Sequence, residues 1–315
     1  DTTSATDARW YPRYQETDAN PARVEMRPYR LTPYFFLLPA LLLLGVFSFG
    51  AMGYALYVSF HHWSVINPAM PFAGLQNYQW AFQDPHFGRA FVNTLLYAVM
   101  VTVGGTCAAL AAALLVNSLP PFSSHIVRTS LFAPVVTSVI ASAIIWLWIY
   151  NPTFGLANGV LAMFGLPLSD WIYSPDTALV SIAIMSIWKG LGYGVVLFLA
   201  GLRQIPEVYE EAARVDGAGK LSRFVHITLP LLVPVTSFVV VTTFLAAFQL
   251  FSEPFIMTQG GPGESTMTLF LYLYETAFKY EQMGLACAMA FIVMVAIMIL
   301  TLSGYRYVRR EVEYA

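Results

Sequence analysis

The chain has 315 residues, of which 57% are hydrophobic and only 11% are charged, with a mean hydropathy of +0.62 and a formal net charge of −2. Soluble domains carry roughly 25% charged residues, so this composition argues against a soluble globular protein and predicts a single membrane domain. The net charge by itself excludes nothing, because the distribution of charge in a membrane protein matters more than its sum.

Six runs are long and apolar enough to cross the bilayer core, which takes about 20 residues. In chain order they are Tyr34–Phe60, Phe91–Asn117, Ser130–Tyr150, Thr177–Leu202, Leu229–Phe251 and Gly284–Tyr305. They predict an all-α polytopic membrane protein with a transmembrane domain over residues 34–305. Residues 1–33, in which acids, arginines and prolines are mixed, are expected to be an N-terminal tail that is partly disordered. Residues 306–315 are expected to be a C-terminal tail.

The distribution of lysine and arginine predicts the orientation, because cytoplasmic loops carry an excess of both. With a cytoplasmic N-terminus, the external side holds only Arg89 and Lys279. The cytoplasmic side then holds most of the basic residues: Arg9, Arg13, Arg23, Arg27, Arg30, Arg128, Arg203, Arg214, Lys220, Arg223, Arg306, Arg309 and Arg310. Both termini and the loop between the fourth and fifth runs are therefore predicted to be cytoplasmic.

That cytoplasmic loop has the local signals of a short helix that ends at a glycine. Acidic residues occupy its first turns, where they complement the helix dipole, and Glu210 and Arg214 form an i,i+4 pair. Gly217 is suited to end the helix, because glycine adopts positive φ without steric cost. Ala212 and Ala213 leave room for the close approach of another protein surface. An ordinary amphipathic loop at the membrane interface is the alternative interpretation.

The spacing within this loop is more specific than its composition. Glu211-Ala212-Ala213 is followed after three residues by Gly217, and nine further residues lead to the Ile-Thr-Leu-Pro sequence at 227–230. This EAA-x3-G-x9-I-x-L-P pattern resembles the cytoplasmic loop through which importer permeases of the ATP-binding-cassette (ABC) class dock onto their ATPase subunits. The resemblance implies the ABC type I importer permease fold, with residues 203–230 as the coupling loop. It implies ATPase-coupling roles for Glu211, Ala212, Ala213, Asp216, Gly217, Ile227, Leu229 and Pro230.

Two external segments narrow the resemblance to permeases for carbohydrates. Met257–Phe278 resembles the T-x-GGP-x-x-x-T segment that precedes the last helix of maltose-type and glycerol-3-phosphate-type permeases, with matches at Thr258, Gly260, Gly261, Pro262, Thr266, Tyr274 and Phe278. The segments 74–78, 84–87 and 93–94 resemble the first external loop of the same subfamily. Gly260-Gly261-Pro262 alone indicates only a tight turn. Because the chain has no room for the large external domain of the maltose-type members, it resembles the shorter glycerol-phosphate and oligosaccharide members.

Lys189 lies in the middle of the fourth run, where a charge costs roughly 2.5–3.5 kcal/mol on insertion scales and is expected to face a cavity or a partner helix. Two interpretations stay open: the lysine lines a substrate pathway, or it is paired structurally or reaches toward the interface in a kinked helix. In the resembled family the fourth and fifth helices line the sugar site. The candidate pathway residues are therefore Ser186, Trp188, Lys189, Tyr193, Thr243 and Gln249.

The sequence lacks the residues that a nucleotide-binding, metal or catalytic site would require. Gly217–Lys220 is not a P-loop, because Arg214 and Leu221 stand where a glycine and a Ser/Thr are needed. The five histidines show no metal-ligand spacing, and no catalytic constellation is visible. No catalytic residue, metal site, cofactor or nucleic-acid partner is predicted for this chain.

The resemblance as a whole implies a non-catalytic permease subunit, multi-pass in the cell (inner) membrane, that translocates a di- or oligosaccharide. The implied partners are the lipid bilayer, a second homologous permease, two copies of an ABC ATPase subunit that bind ATP and Mg, and an extracytoplasmic substrate-binding protein. Glycerol-3-phosphate or a related phosphodiester is the alternative substrate. The alternative of another class is a secondary carrier that needs no motor, which the coupling-loop pattern and the absence of inverted repeats disfavour.

Overall fold

The structure, a computed structural model, describes residues 32–64, 66 and 69–312, with side chains described from Tyr34 to Leu302. The predicted disordered tail lies outside the described residues except for its last two positions, and the side chains of the predicted C-terminal tail lie outside them as well. Contacts divide the chain into two units, residues 1–53 and residues 54–315. In the first unit, α1 (Thr32–Leu43) continues into a π-helical turn, Leu44–Gly50.

The second unit begins within α2 (Ala51–Ser59), and α3 (Gln76–Gln83) and α4 (Pro85–Asn117) follow it. Asp84 caps α4, because its carboxylate accepts a hydrogen bond of 2.9 Å from the backbone N–H of His86. Pro85 occupies the first helical position, where its missing N–H is of no consequence. Helix α4 therefore starts six residues before the predicted second run, at a boundary set by its cap rather than by hydropathy.

The predicted third span is not one continuous helix, so the prediction of a single helix there was wrong. Helix α5 (Pro121–Val136) and helix α6 (Val139–Ile149) meet at 104°, with Thr137 and Ser138 in extended backbone between them. Pro134 lies in the last turn of α5, where it lacks the N–H that would continue the helical bonding. Extended residues then redirect the chain, which hydropathy alone does not reveal.

Helix α7 (Leu156–Met163) precedes the long fourth span, α8 (Pro175–Gln204), which packs mainly on α4 and α5. The α5 backbone approaches α8 closely at Gly192. A Cβ atom at that position would lie 2.6 Å from the Cα atom of Phe132, closer than real Cβ contacts allow. Glycine is therefore required at 192 for these two helices to pack.

The predicted cytoplasmic loop contains α9 (Glu207–Val215) and α10 (Lys220–Arg223), and the chain reaches α11 (Leu229–Leu231) through the π-helical segment Phe224–Thr228. Helix α12 (Val233–Phe248) follows after a bend of 65°. Pro230 and Pro234 flank this bend, and their missing N–H groups interrupt the helical hydrogen bonds. The predicted fifth span was therefore also wrong as a continuous helix.

The chain ends with α13 (Ser252–Met257), α14 (Leu269–Tyr274) and α15 (Met283–Val312). Among the described residues, four helical stretches can cross a membrane by length and composition: Tyr34–Ser59, Pro85–Asn117, Pro175–Gln204 and Met283–Leu302. The number rises to six if each bent pair is one span. The predicted all-α membrane fold is confirmed. Its core is formed where α4, α8, α12 and α15 meet, with large fully buried side chains at Tyr97, Ile182, Met185, Phe248 and Met289.

Candidate functional site

The second unit contains a cavity of about 420 Å³ between α4, α8, α12 and α13. Five of the six predicted pathway residues line it: Ser186, Lys189, Tyr193, Thr243 and Gln249. The first three come from α8 and are separated by three or four residues, so they share one helical face. Trp188 is the exception, because its indole ring lies against Trp146 with the ring centroids 5.5 Å apart and is not part of the cavity wall.

Lys189 makes two hydrogen bonds to the break between α5 and α6. Its ammonium group donates to the carbonyl oxygen of Thr137 at 2.7 Å and to that of Pro134 at 3.1 Å. These carbonyls end a helix, where the backbone carries partial negative charge and lacks helical N–H partners. The cation therefore stabilises the bent third span while its side chain lines the cavity. The structural pairing expected from the sequence is observed, and the role in a substrate pathway stays a prediction.

Several polar residues of the cavity wall were not predicted. Tyr97 is fully buried in α4 and donates a hydrogen bond of 2.6 Å to the hydroxyl of Ser186. Ser252 and Glu253 begin α13 at the cavity wall. Burial raises the pKa of Glu253, while the charge of Lys189 opposes that rise. A carboxylate placed directly after the apolar fifth run is the sequence signal that could have identified Glu253.

The predicted coupling loop forms a surface helix with a well-defined end. Glu210 and Arg214 form the expected i,i+4 ion pair with a nitrogen–oxygen distance of 3.5 Å. Gly217 has φ +79°, and its N–H bonds the carbonyl of Arg214, while the N–H of Ala218 bonds the carbonyl of Ala213 at 2.9 Å. This pair of bonds is a Schellman motif, which requires a residue with positive φ at the position of the glycine.

None of the residues of α9 is buried. Val208, Glu211, Ala212 and Val215 are spaced as i, i+3, i+4 and i+7, so they lie on one face of the helix, and all four are exposed. The predicted residues Asp216 and Pro230 are exposed as well. An exposed face with two valines around a small alanine leaves α9 available to contact another protein.

Ala213, Ile227 and Leu229, which complete the predicted coupling set, are half-buried. They lie where α9 ends and where the chain returns toward α12. The structure therefore divides the predicted coupling residues between the exposed face and the connection to the fifth span.

Two predicted external segments that carry the family resemblance, the start of α4 and the loop before α14, contact each other. Asn93 of α4 donates from its side-chain amide to the carbonyls of Glu264 (2.8 Å) and Met267 (3.0 Å). The hydroxyl of Thr94 accepts the backbone N–H of Leu269 at 2.9 Å. These bonds join residues more than 170 positions apart and fix the loop before α14 to the start of α4.

The loop before α14 is also held by hydrogen bonds within it and by ion pairs with residues of α4. The hydroxyls of Thr258 and Thr266 are 2.6 Å apart, and Thr266 donates to the carbonyl of Gly261 at 2.7 Å. The Glu264 carboxylate lies 2.6 Å from the His86 ring nitrogen and 3.2 Å from the Arg89 guanidinium. The matched threonines and the glycine therefore have structural roles within the turn.

The described residues form up to six candidate spans, two of which are bent pairs, and a cavity whose mainly apolar wall carries a few polar side chains. This is the architecture of a membrane transport protein, because irregular backbone at membrane depth is tolerated where it is buried in protein or lines a cavity. The chain belongs to the family of binding-protein-dependent transport system inner membrane components, whose profile matches residues 104–314. The predicted permease class is thereby confirmed, as is its place in the inner membrane.

Two relatives and one solved structure extend this result. The sulfoquinovosyl glycerol transport system permease protein SmoG of Agrobacterium fabrum is 34% identical over 90% of this chain and 92% of its own length. The sn-glycerol-3-phosphate transport system permease protein UgpA of Escherichia coli is 31% identical over 90% of this chain and 96% of its own length. A chain of a bacterial ABC transporter for the acidic polysaccharide alginate superposes with a TM-score of 0.76 at 22% identity, covering 88% of this chain and 95% of that chain, and so shows the same fold.

Proposed function

We propose that the chain is one permease subunit of an ABC importer that translocates a carbohydrate delivered by an external binding protein. The observation that carries this proposal is the exposed face of α9, which ends in a Schellman motif at the glycine of the EAA pattern. A secondary carrier has no use for such a surface, since it needs no motor. The relatives named for sulfoquinovosyl glycerol and sn-glycerol-3-phosphate support the same class of machine.

The motor is proposed to be a pair of ATPase subunits that bind ATP and Mg, with no catalysis on this chain. Val215 at the end of α9 is 88% exposed and Val208 on the same face is 68% exposed, so both are available to an apolar cleft of an ATPase. Ala212 between them permits close approach. ATP-driven closure of the motor would move α9, and α10 with the bent α11–α12 connection would carry that movement to the cavity.

One subunit supplies one wall of a translocation path, so a second, homologous permease is proposed to supply the other. Both termini and α9 are proposed to be cytoplasmic, with the loop before α14 facing the external binding protein. In this arrangement the cavity lined by Ser186, Tyr193, Thr243 and Gln249 receives the substrate. Hydroxyl and amide side chains suit a polyhydroxylated solute, because both donate and accept hydrogen bonds. Alternating access of the cavity to the two sides then moves the solute.

The docking surface is tested by Val215→Asp in the reconstituted complex. A charge in the centre of an apolar interface should lower copurification of the ATPase at least tenfold and abolish substrate-stimulated ATP hydrolysis, because the carboxylate would be desolvated without a partner. Leu168→Asp is the matched control, since Leu168 is also exposed (64%) but lies in the loop predicted to be external. Unchanged ATPase binding in Val215→Asp would remove α9 as the docking element.

A further inference from the structure

Two residues that carry a full charge line the cavity within the described part of the chain, Lys189 and Glu253. They come from different elements, α8 and α13, and have opposite charges. The substrate preference of this wall therefore depends on which charge is free to meet a solute. The hydrogen bonds of the two side chains answer that question differently.

The lysine is already engaged by the protein. Two of its three N–H groups are directed at the carbonyls of Thr137 and Pro134 at the end of α5. A helix C-terminus carries about half a negative elementary charge, which offsets a comparable part of the ammonium charge. What remains of the positive charge is then opposed by the carboxylate of Glu253 across the cavity.

The glutamate has no comparable partner. In the described residues its carboxylate forms no ion pair and no hydrogen bond to another side chain, and it accepts a hydrogen bond from its own backbone N–H. The hydroxyls of Tyr97 and Ser186 are bonded to each other. The Glu253 side chain is only partly buried, and the accessible part faces the cavity. Gln249 and Ser252 line the wall beside it in sequence and supply neutral polar groups. The Glu253 carboxyl is therefore the charged group of this wall that no side chain engages, and the nearby charge of Lys189 favours its ionised form against the effect of burial.

We propose that Glu253 determines the specificity of the cavity, by accepting hydrogen bonds from the hydroxyls of a neutral saccharide and by excluding solutes that carry a carboxylate or a phosphate. This inference rests on the proposed function, because it assumes that the cavity is the translocation site. A carboxylate accepts hydroxyl donors in short, charge-assisted bonds and repels an anion at the same distance. By this reasoning the substrate of this chain differs in charge from the glycerol-3-phosphate named for one relative.

The test measures binding of radiolabelled saccharides to the purified complex of permeases and ATPases without the binding protein, so that the selectivity of the cavity is isolated. The probes are a panel of neutral di- and oligosaccharides, the matching uronic-acid oligosaccharides, and sn-glycerol-3-phosphate. The variants are Glu253→Gln, which removes the charge at constant size, and Glu253→Asp, which keeps it. Asp170→Asn is the control, because Asp170 is an exposed carboxylate outside the cavity.

The expected result is that the wild-type complex prefers a neutral saccharide and that Glu253→Gln weakens its binding at least tenfold. We also expect Glu253→Gln to reduce the discrimination against the uronic acids, while Glu253→Asp retains it and Asp170→Asn behaves as wild type. The proposal is overturned if the neutral sugar binds Glu253→Gln as tightly as wild type, or if the wild type prefers an anion. If Glu253→Gln does not assemble, Glu253→Asp decides, since loss of the neutral preference in that variant contradicts the proposal.

Failure of the proposed import function would give a different experimental result from failure of the proposal for Glu253. In that case proteoliposomes with the complete wild-type complex and binding protein would import no saccharide, neutral or acidic. If they import a saccharide that the purified complex does not bind in this cavity, the import function stands and the role of Glu253 is refuted.

Discussion

The hydrogen bonds of Lys189 make a sharp prediction about the stability of the bent third span. Lys189→Met keeps the length of the side chain and removes its charge and its donors. In an ordinary transmembrane helix this change should favour insertion, because a charge at mid-membrane is costly. Here it should instead destabilise the folded permease, since the carbonyls at the α5–α6 break lose a donor.

The magnitude follows from the two bonds. The carbonyl of Pro134 also accepts hydrogen bonds from the backbone N–H (3.2 Å) and the hydroxyl (2.7 Å) of Thr137. Losing the bond from Lys189 therefore costs this carbonyl little free energy. The Thr137 carbonyl loses the shorter bond to the ammonium group, 2.7 Å. A hydrogen bond to a charged group contributes about 1.5–3 kcal/mol, and water in the cavity can replace part of it. We therefore expect a loss of about 2 kcal/mol.

The assay is thermal unfolding of the purified complex in one detergent, together with substrate uptake. Lys189→Met should lower the melting temperature by several degrees, and Lys189→Arg should restore most of the loss because it retains charged donors. Lys220→Met is the control for the melting temperature, since Lys220 is exposed at the start of α10 and its substitution should change little. A Lys189→Met complex that melts as wild type but fails in uptake would refute the structural role and support direct contact with the substrate.

Two further predictions concern the coupling helix and the topology. Gly217→Trp places a side chain at φ +79°, which costs about 1–2 kcal/mol locally. The spans should still insert, but loaded binding protein should no longer stimulate ATP hydrolysis. Gly219→Trp is the control and should retain more stimulation, because φ is negative at that position. Full stimulation in Gly217→Trp would exclude α9 as the coupling element. A cysteine at Lys220 should react with a membrane-impermeant reagent only from the cytoplasm and one at Gly263 only from outside, and labelling of both from one side would contradict the proposed orientation.

The sequence was sufficient for features with local causes. Hydropathy alone indicated the six regions in which the spans lie, because the bilayer core demands about 20 apolar residues wherever the chain crosses it. The end of α9 was also predictable, since the Glu210–Arg214 pair and the positive φ of Gly217 depend on residues a few positions apart. The family pattern added the coupling assignment, which no local rule supplies.

Only the tertiary structure decided which spans are broken. Proline occurs within α1 at Pro39, within α5 at Pro134 and on both sides of the α11–α12 bend, yet the stretch Tyr34–Ser59 counts as one span while the other two bend by 104° and 65°. Proline removes an N–H at each site, but this alone does not decide whether the helix bends there. At the α5–α6 break the carbonyls of Pro134 and Thr137 accept hydrogen bonds from Lys189, more than 50 residues away in the chain.

The cavity also depends on contacts between residues that are distant in the sequence. Its wall combines residues of four elements, and Tyr97 and Glu253 joined the predicted face of α8 only through packing. Likewise, Asn93 reaches the loop around Glu264 because α4 lies beside that loop in space. Local sequence determines which residues can cross a bilayer or end a helix, whereas contacts between distant residues decide which polar groups are satisfied and which remain free for a substrate.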